Sequence, residues 1–359
     1  MKKIFFILSI FFLAFSTVET KAQGCGSTGS GNLVGVFGFI QPQFNYNING
    51  KDVNGKSLNT NNFTFNRARL GVMGSIPYDI DYYVVAELSQ FKNSSNTVHL
   101  LDAYVSYTRF GKWAKITLGQ FKSPFSLEQN TACSGLYTIN RSEVVNQLAG
   151  PQRDLGLLIS GGNDSLGITY SLGFMNGTGF NVVDDNNNKN IIGRLVVNPL
   201  KNLKIGGSFK VGKINPTDPT EDLNDIFRVA GELQYTWKKL FLQSEFIYGQ
   251  DKLHSASQVP IYGGCGGIVG FETKQAGTYS KNGFWAIASY KVNDKIEPVL
   301  KFDTWNSDQG VVGKRINTYT VGLNYYVNDY SRVQINYVNV QESIPVINDM
   351  IMIQVQAKF

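Results

Sequence analysis

Apolar and polar residues alternate with a period of two in segment after segment from Leu33 to the end of the chain. The last nine residues show it most cleanly. Ile351, Ile353, Val355, Ala357 and Phe359 fall on one face of a strand, and Met352, Gln354, Gln356 and Lys358 on the other. The same alternation sets Leu166, Ile168, Tyr170, Leu172 and Phe174 against Gly167, Thr169, Ser171 and Gly173. It recurs around Leu203, Phe227 and Tyr319, with turn residues between the segments. A chain that ends inside a strand leaves a row of unpaired backbone groups. Closing the sheet into a barrel removes that edge, and in lipid closure is the only way a sheet can cross.

The connections alternate in length. Short ones lie at 75–78, 110–112, 161–164, 198–201, 237–239, 292–294 and 327–329. Longer polar stretches lie at 47–62, 91–96, 122–152, 176–189, 213–225, 250–280, 306–314 and 341–345. Seven short turns and eight long loops join sixteen strands, with both chain ends on the short-turn side. An even strand number, short periplasmic turns and long outer loops define the expected fold: an all-β, antiparallel transmembrane barrel. Sixteen strands predict a water-filled lumen, which eight would fill with side chains. A soluble sandwich or propeller fits less well, because no repeat of about 40–50 residues is visible.

The start of the chain agrees. Met1-Lys2-Lys3 precedes an apolar run from Ile4 to Phe15, and Thr20-Lys21-Ala22 offers small residues for cleavage after Ala22. This reads as a secretory signal peptide over 1–22, followed by a short segment 23–32 and one barrel domain 33–359. A lipoprotein signal acylated at Cys25 competes, but Ala22-Gln23-Gly24-Cys25 lacks the large aliphatic residue such signals carry. No later window holds 18 consecutive apolar residues, so no transmembrane helix is expected. Charged residues are only 17% and aromatics 13%, with 37 Gly, which suits strands that give half their residues to lipid. The formal charge of +6 falls to about +4 without the signal segment, and no basic run or aromatic–basic motif supports nucleic-acid binding.

Catalysis and cofactors find no support. The chain has two histidines, His99 and His254, neither within a GxSxG-like element, and no CxxC or other metal-ligand spacing. No metal, cofactor or enzymatic activity is expected. The cysteines are Cys25, Cys133 and Cys265, an odd number. A Cys133–Cys265 disulfide and free loop thiols are both open.

Leu101-Asp102-Ala103-Tyr104-Val105-Ser106-Tyr107, and then Gly119-Gln120-Phe121-Lys122-Ser123-Pro124-Phe125-Ser126-Leu127-Glu128, carry a specific signature. A DAY strand followed by GQFKxPFxxE resembles the phosphate-selective porin O and P family. Asn66-Arg67-Ala68-Arg69-Leu70 is similar to that family's RRAR element, with Asn66 in place of the first arginine. Further similarity at Gly193-Arg194-Leu195, at 297–303 and at 322–326 extends over nearly the whole mature chain. The resemblance implies a bacterial outer-membrane porin of sixteen strands, trimeric, whose third loop folds into the pore. Loop 122–152 is too long for a plain hairpin. It carries Lys122, Glu128, Arg141, Glu143 and Arg153, with Phe125, Leu127, Leu136 and Tyr137 to anchor it to the wall.

Anion passage asks for fixed cations on the water face. Parity puts Arg194, Lys204, Lys210, Arg228 and Lys301 opposite the apolar stripes, and Arg67 and Arg69 on one face together. Phe65 shares the parity of Arg67, so a bulge or strand end is expected beside it. The resemblance places Arg67 and Lys122 near the constriction, with Glu128, Arg141 and Arg153 on its loop. Acids share the polar faces: Glu87, Asp102, Glu232, Glu245, Glu297 and Asp303. The expected function is therefore passive diffusion of small hydrophilic solutes with modest anion preference, phosphate among them, rather than dedicated phosphate capture. The expected partners are small anions, membrane lipid and two further copies of the chain. The alternative is a surface receptor or adhesin acting through the long loops.

Overall fold

A computed structural model describes residues 34–52, 54–89, 98–218, 220–264 and 267–359. The signal segment, Cys25, the segment 23–32, Leu33, loop 91–96 and Cys265 lie outside the described residues. The first eight strands are β1 (Gly35–Ile48), β2 (Thr60–Ile76), β3 (Ile80–Glu87), β4 (His99–Tyr107), β5 (Lys115–Lys122), β6 (Arg153–Asn163), β7 (Ile168–Met175) and β8 (Asn190–Leu200). There follow β9 (Leu203–Ile214), β10 (Asn224–Trp237), β11 (Leu240–Leu253), β12 (Ser257–Tyr262), β13 (Ile268–Lys274) and β14 (Gly277–Tyr290). The last four are β15 (Ile296–Asn306), β16 (Arg315–Tyr326), β17 (Ser331–Glu342) and β18 (Asp349–Lys358). Sixteen of them form one closed antiparallel barrel, in which each strand pairs with its neighbours in sequence and β11 passes directly to β14. β12 and β13 form a separate hairpin between them.

Burial is inverted relative to a water-soluble protein. Gln354 and Gln356 are buried, whereas Ile353 and Val355 beside them are exposed. Asn324 and Glu245 are buried too, while Leu323 and Phe246 stand outside. An apolar outer band and a polar interior are what a strand spanning lipid requires. Phe110, Trp113, Trp237 and Tyr290 are exposed near the short turns, where aromatic rings sit at the membrane–water boundary.

The seam joins the two ends of the chain. β1 pairs with β18 from Phe39 opposite Lys358 to Ile48 opposite Asp349. Beyond the strand, Phe359 N–H donates to Gly38 O at 3.0 Å and Gly38 N–H to Phe359 O at 2.9 Å. The Phe359 ring lies against Gly38, where any β-carbon would collide with it. The bulge expected near Phe65 is present. Gln41 pairs with Arg67 and Pro42 with Phe65, leaving Asn66 extra on β2. The bulge turns Asn66 and Arg67 into the lumen, where Asn66 Nδ2 donates to Gln354 Oε1 at 2.9 Å.

Two local expectations need correction. Leu166 and Gly167 belong to a turn, because Gly167 adopts a positive φ of 71° and Leu166 N–H bonds back to Asn163 O, so β7 begins at Ile168. The stretch 250–280 is not a plain loop either. β11 runs on to Leu253, β14 starts at Gly277, and the β12–β13 hairpin lies between.

Candidate functional site

The third loop leaves β5 after Lys122 and returns at Arg153, its neck closed by Ser123 N–H donating to Gln152 O at 2.9 Å. Between these points it runs inside the barrel and touches most of the wall. Ser126 N–H reaches Ser208 on β9, and Ser126 Oγ donates to Glu245 on β11 at 2.8 Å. Leu127 N–H at 2.8 Å and the Trp285 indole N–H at 3.0 Å both donate to the same carboxylate. Glu245 thus satisfies the open N-terminus of the short helix Leu127–Asn130.

Further along, Gln41 of β1 and Gln356 of β18 donate to the carbonyls of Cys133 and Ser134. Asn324 and Gln334 donate to Tyr137 O, and Ile139 N–H donates to Asn336 at 2.8 Å. The Tyr137 ring stacks on Phe241, with centroids 4.7 Å apart. Burial, with Glu297 and Tyr326 nearby, pushes the Tyr137 phenol above its ordinary pKa, so it stays protonated. The loop returns through the helix Glu143–Ala149, and Lys210 donates to Gly150 O at 2.7 Å.

An apolar core holds the loop in place. Phe125, Leu127, Val144, Val145 and Leu148 pack with Met175, Ile192, Ile247, Trp285, Ile287, Val299 and Trp305 from the wall. The lumen is therefore not a plain water-filled tube, since part of its cross-section is occupied by packed side chains. Phe125, Leu127 and Leu136 are buried, as their anchoring role predicts. The wall half of this core escaped the sequence reading, but a signal exists. Trp285 and Ile287 alternate with Phe284, Ala286 and Ala288, so β14 is apolar on both faces, and in a barrel that marks a covered inner face.

Of the residues predicted to line the pore, most are neutralised. Arg69 pairs with Glu87 at 2.8 Å, Arg153 with Asp102 at 3.0 Å and Arg194 with Glu232 at 2.6 Å. Arg228 pairs with Asp251, which also holds Lys281 at 2.5 Å. Lys301 pairs with Glu128 at 2.6 Å, both side chains buried, and Glu128 also accepts from Ser142 N–H. Lys204 shares the lumen parity but lies beside the short turn after β6, bound to Asp164 at 2.7 Å, and so sits at the rim rather than in the narrow part. The paired Lys204 ammonium holds the Asp164 carboxyl below its ordinary pKa.

Arg67, Lys122, Arg141 and Lys210 form no ion pair among the described residues. Arg67 is almost fully buried and donates to Gln41 Oε1 at 2.9 Å, leaving its buried Nε without a partner among the described residues. Arg141 donates to the carbonyls of Glu128 and Thr131, both at 2.9 Å. Arg332, absent from the sequence-based candidates, also faces the lumen and donates to Gln356. Its signal was the alternation of Arg332, Gln334 and Asn336 with Val333, Ile335 and Tyr337.

Cys133 sits at the centre of the cationic side. Its Sγ accepts from Arg69 at 3.1 Å and Arg141 at 3.4 Å. It is a free, buried thiol, and Cys265, the other cysteine of the bridge left open by the sequence, lies outside the described residues. Arg67, Arg69, Lys122 and Arg153 come from β2, β5 and β6, while Glu245, Glu297 and Asp303 come from β11 and β15 on the far wall. With Arg69 and Arg153 offset by Glu87 and Asp102, Arg67 and Lys122 are the unpaired members of this side among the described residues. No group of metal-binding side chains occurs among the described residues.

The arrangement agrees with what the chain is similar to. The family model for the phosphate-selective porin O and P matches residues 40–211 and 214–344. No functionally curated protein matches the chain in sequence. Among solved structures, an anion-selective porin from Comamonas acidovorans is similar over 92% of this chain and 100% of that one, at 12% identity and a TM-score of 0.66. The outer membrane channel DcaP of Acinetobacter baumannii is similar over 93% and 99%, at 14% identity and 0.64. The trimer form of OmpT, an outer membrane protein of Vibrio cholerae, is similar over 91% and 99%, at 11% identity and 0.62. A closed sixteen-stranded barrel with an apolar outer band, matched by this family model over most of its length, is a Gram-negative outer-membrane protein: the chain belongs to the phosphate-selective porin O and P family.

Proposed function

We propose that this porin passes small hydrophilic solutes by passive diffusion and prefers anions modestly, with Arg67, Lys122 and Arg141 setting the preference at the third loop. The observation that carries the reading is the separation of its cations into two sets. Arg69, Arg153, Arg194, Arg228 and Lys301 are offset by carboxylates, whereas Arg67, Lys122 and Arg141 gather near Cys133 without one among the described residues. Fixed cations without a carboxylate partner replace part of an anion's hydration and repel cations. The preference is modest because a sulfur occupies part of the arginine donor set and Glu128 lies on the same loop. Paired Arg194, Arg228 and Lys301 would contribute little, and Lys204 and Lys210 act at most as a diffuse field.

The similarity in fold to a porin described as anion-selective supports this reading, and the trimer form of OmpT supports a homotrimer. Reversal potentials across planar bilayers in a salt gradient test it. Wild type is expected to favour chloride over potassium, and Lys122→Glu to move the reversal potential towards cations. Cation preference in the wild type would overturn the proposal, and an unchanged potential in Lys122→Glu would remove that residue from the filter.

A further inference from the structure

The long-loop end of the barrel holds a second enclosure, apart from the constriction. The β12–β13 hairpin docks on the third loop at Gln147 and Gly150. Gln147 Nε2 donates to Tyr262 O at 2.9 Å, and Tyr262 N–H donates back to Gln147 Oε1 at 3.2 Å. The Tyr262 ring lies against Gly150, where a β-carbon would collide with it. Beneath the hairpin is a cavity of about 210 Å³, bounded by Leu148 of the third loop, Ile226 and Trp305 of the wall, and Val259 and Tyr262 of the hairpin. That is room for one small molecule, below the roughly 300 Å³ at which sites for drug-sized ligands begin.

Three acids, Glu143, Asp251 and Glu272, and three cations, Arg228, Lys274 and Lys281, line the cavity, but among its buried charges the cations outnumber the single acid Asp251. On the wall Asp251 is held between Arg228 and Lys281, a triad with one net positive charge. From the hairpin comes Lys274, only 8% exposed, its Nζ 4.6 Å from the centre of the Tyr279 ring. Its acid, Glu272, is 3.5 Å away and about half exposed, so the pair is loose. Glu143 at the other rim accepts from Gln147 at 2.7 Å. A buried ammonium whose acid is half exposed carries a desolvation cost that a carboxylate from outside would relieve.

We propose that this cavity binds a small carboxylate with an apolar body, held between the hairpin and the third loop before it reaches the constriction. The carboxylate meets Lys274 and the Arg228–Asp251–Lys281 triad, while the body covers Leu148, Val259 and Trp305. Inorganic phosphate has the charge without the body, and a neutral amide has the body without the charge. Either alone gains only part of the interaction. The inference rests on the reading that anions enter this channel.

The test is calorimetric titration of the full-length protein in detergent with phenylacetate, phenylacetamide and inorganic phosphate. Wild type is expected to bind phenylacetate saturably, with the other two at least about tenfold weaker. Lys274→Gln should weaken phenylacetate by about tenfold or more, and Val259→Trp should remove binding by filling the space. Retained heat-modifiable mobility on gels identifies variants that still fold. Equal binding of phenylacetamide, or wild-type affinity in both variants, would overturn the inference. Reversal potentials on the same wild-type preparation separate the two readings. Anion preference without phenylacetate binding sinks the cavity alone, whereas cation preference sinks the anion reading beneath it.

Discussion

Cys133 shows how far a residue's role can depart from its setting in the sequence. In the chain it is one thiol in a long loop, but in the fold it lies within a ring of cations. Burial alone raises a thiol's pKa, yet Arg141, Arg69, Arg67 and Lys122 together hold Cys133 well below the ordinary thiol range. These cations favour the thiolate, whose charge would offset part of the cationic cluster. Its contribution to stability is present above the unfolded thiol pKa and is lost as pH falls through the lowered folded value. Cys133→Ala should therefore raise anion preference at neutral pH. Acidification should raise the wild type towards the same level and move the variant less, both read as reversal potentials. Identical pH profiles in the two proteins would show that the sulfur plays no electrostatic part. The inward direction of Arg67 and Arg69 was legible from parity plus the anomaly at Phe65. Their different fates were not, because Arg69 meets Glu87 only through the pairing of β2 with β3.

At the scale of elements, the third loop is held by two carboxylates of opposite origin. Glu245 reaches from the wall to the loop, and Glu128 reaches from the loop to Lys301 on the wall. Glu245→Ala removes the acceptor for Ser126 Oγ, Leu127 N–H and the Trp285 indole. The first turn of the loop should loosen and single-channel conductance should rise, whereas unchanged conductance would mean that the apolar core alone fixes the loop. Lys301→Met strands the Glu128 carboxylate in a buried setting, which costs roughly 3–5 kcal/mol when one partner of such a pair is lost. Thermal unfolding in detergent should show a clear drop, and adding Glu128→Gln should recover much of it. A single variant as stable as the wild type would mean that water reaches Glu128 freely. That this loop folds inward was implied by the GQFKxPF resemblance and its length. Its circuit past β9, β11, β15, β17 and β18 was not legible, since each contact joins residues more than 80 positions apart.

For the molecule as a whole, the decisive join is the seam where the last residue closes on the first strand. Phe359 contributes two backbone hydrogen bonds and a ring set against Gly38. Phe359→Ala keeps the backbone bonds and loses the ring contact, while deleting the residue loses both. Refolding into detergent, followed by the heat-modifiable band, should slow or fall in yield in that order, and equal yields would show that the seam tolerates loss of its terminus. The sequence by itself determined the barrel: strand number, alternating short and long connections, outward apolar face, and the pairing of the last strand with the first. Those follow from a period of two and from turn chemistry, both local, and from the rule that a sheet in lipid must close. It also carried the inward direction of Arg67, Arg69, Arg228 and Lys301. Tertiary structure alone decided which of them keep their charge uncompensated, that part of the lumen is an apolar core, and that a hairpin roofs a cavity at the mouth. The physical reason is that charge pairing and packing depend on which residue stands opposite across strands and loops distant in the chain. Parity gives a side chain its direction but not its neighbour.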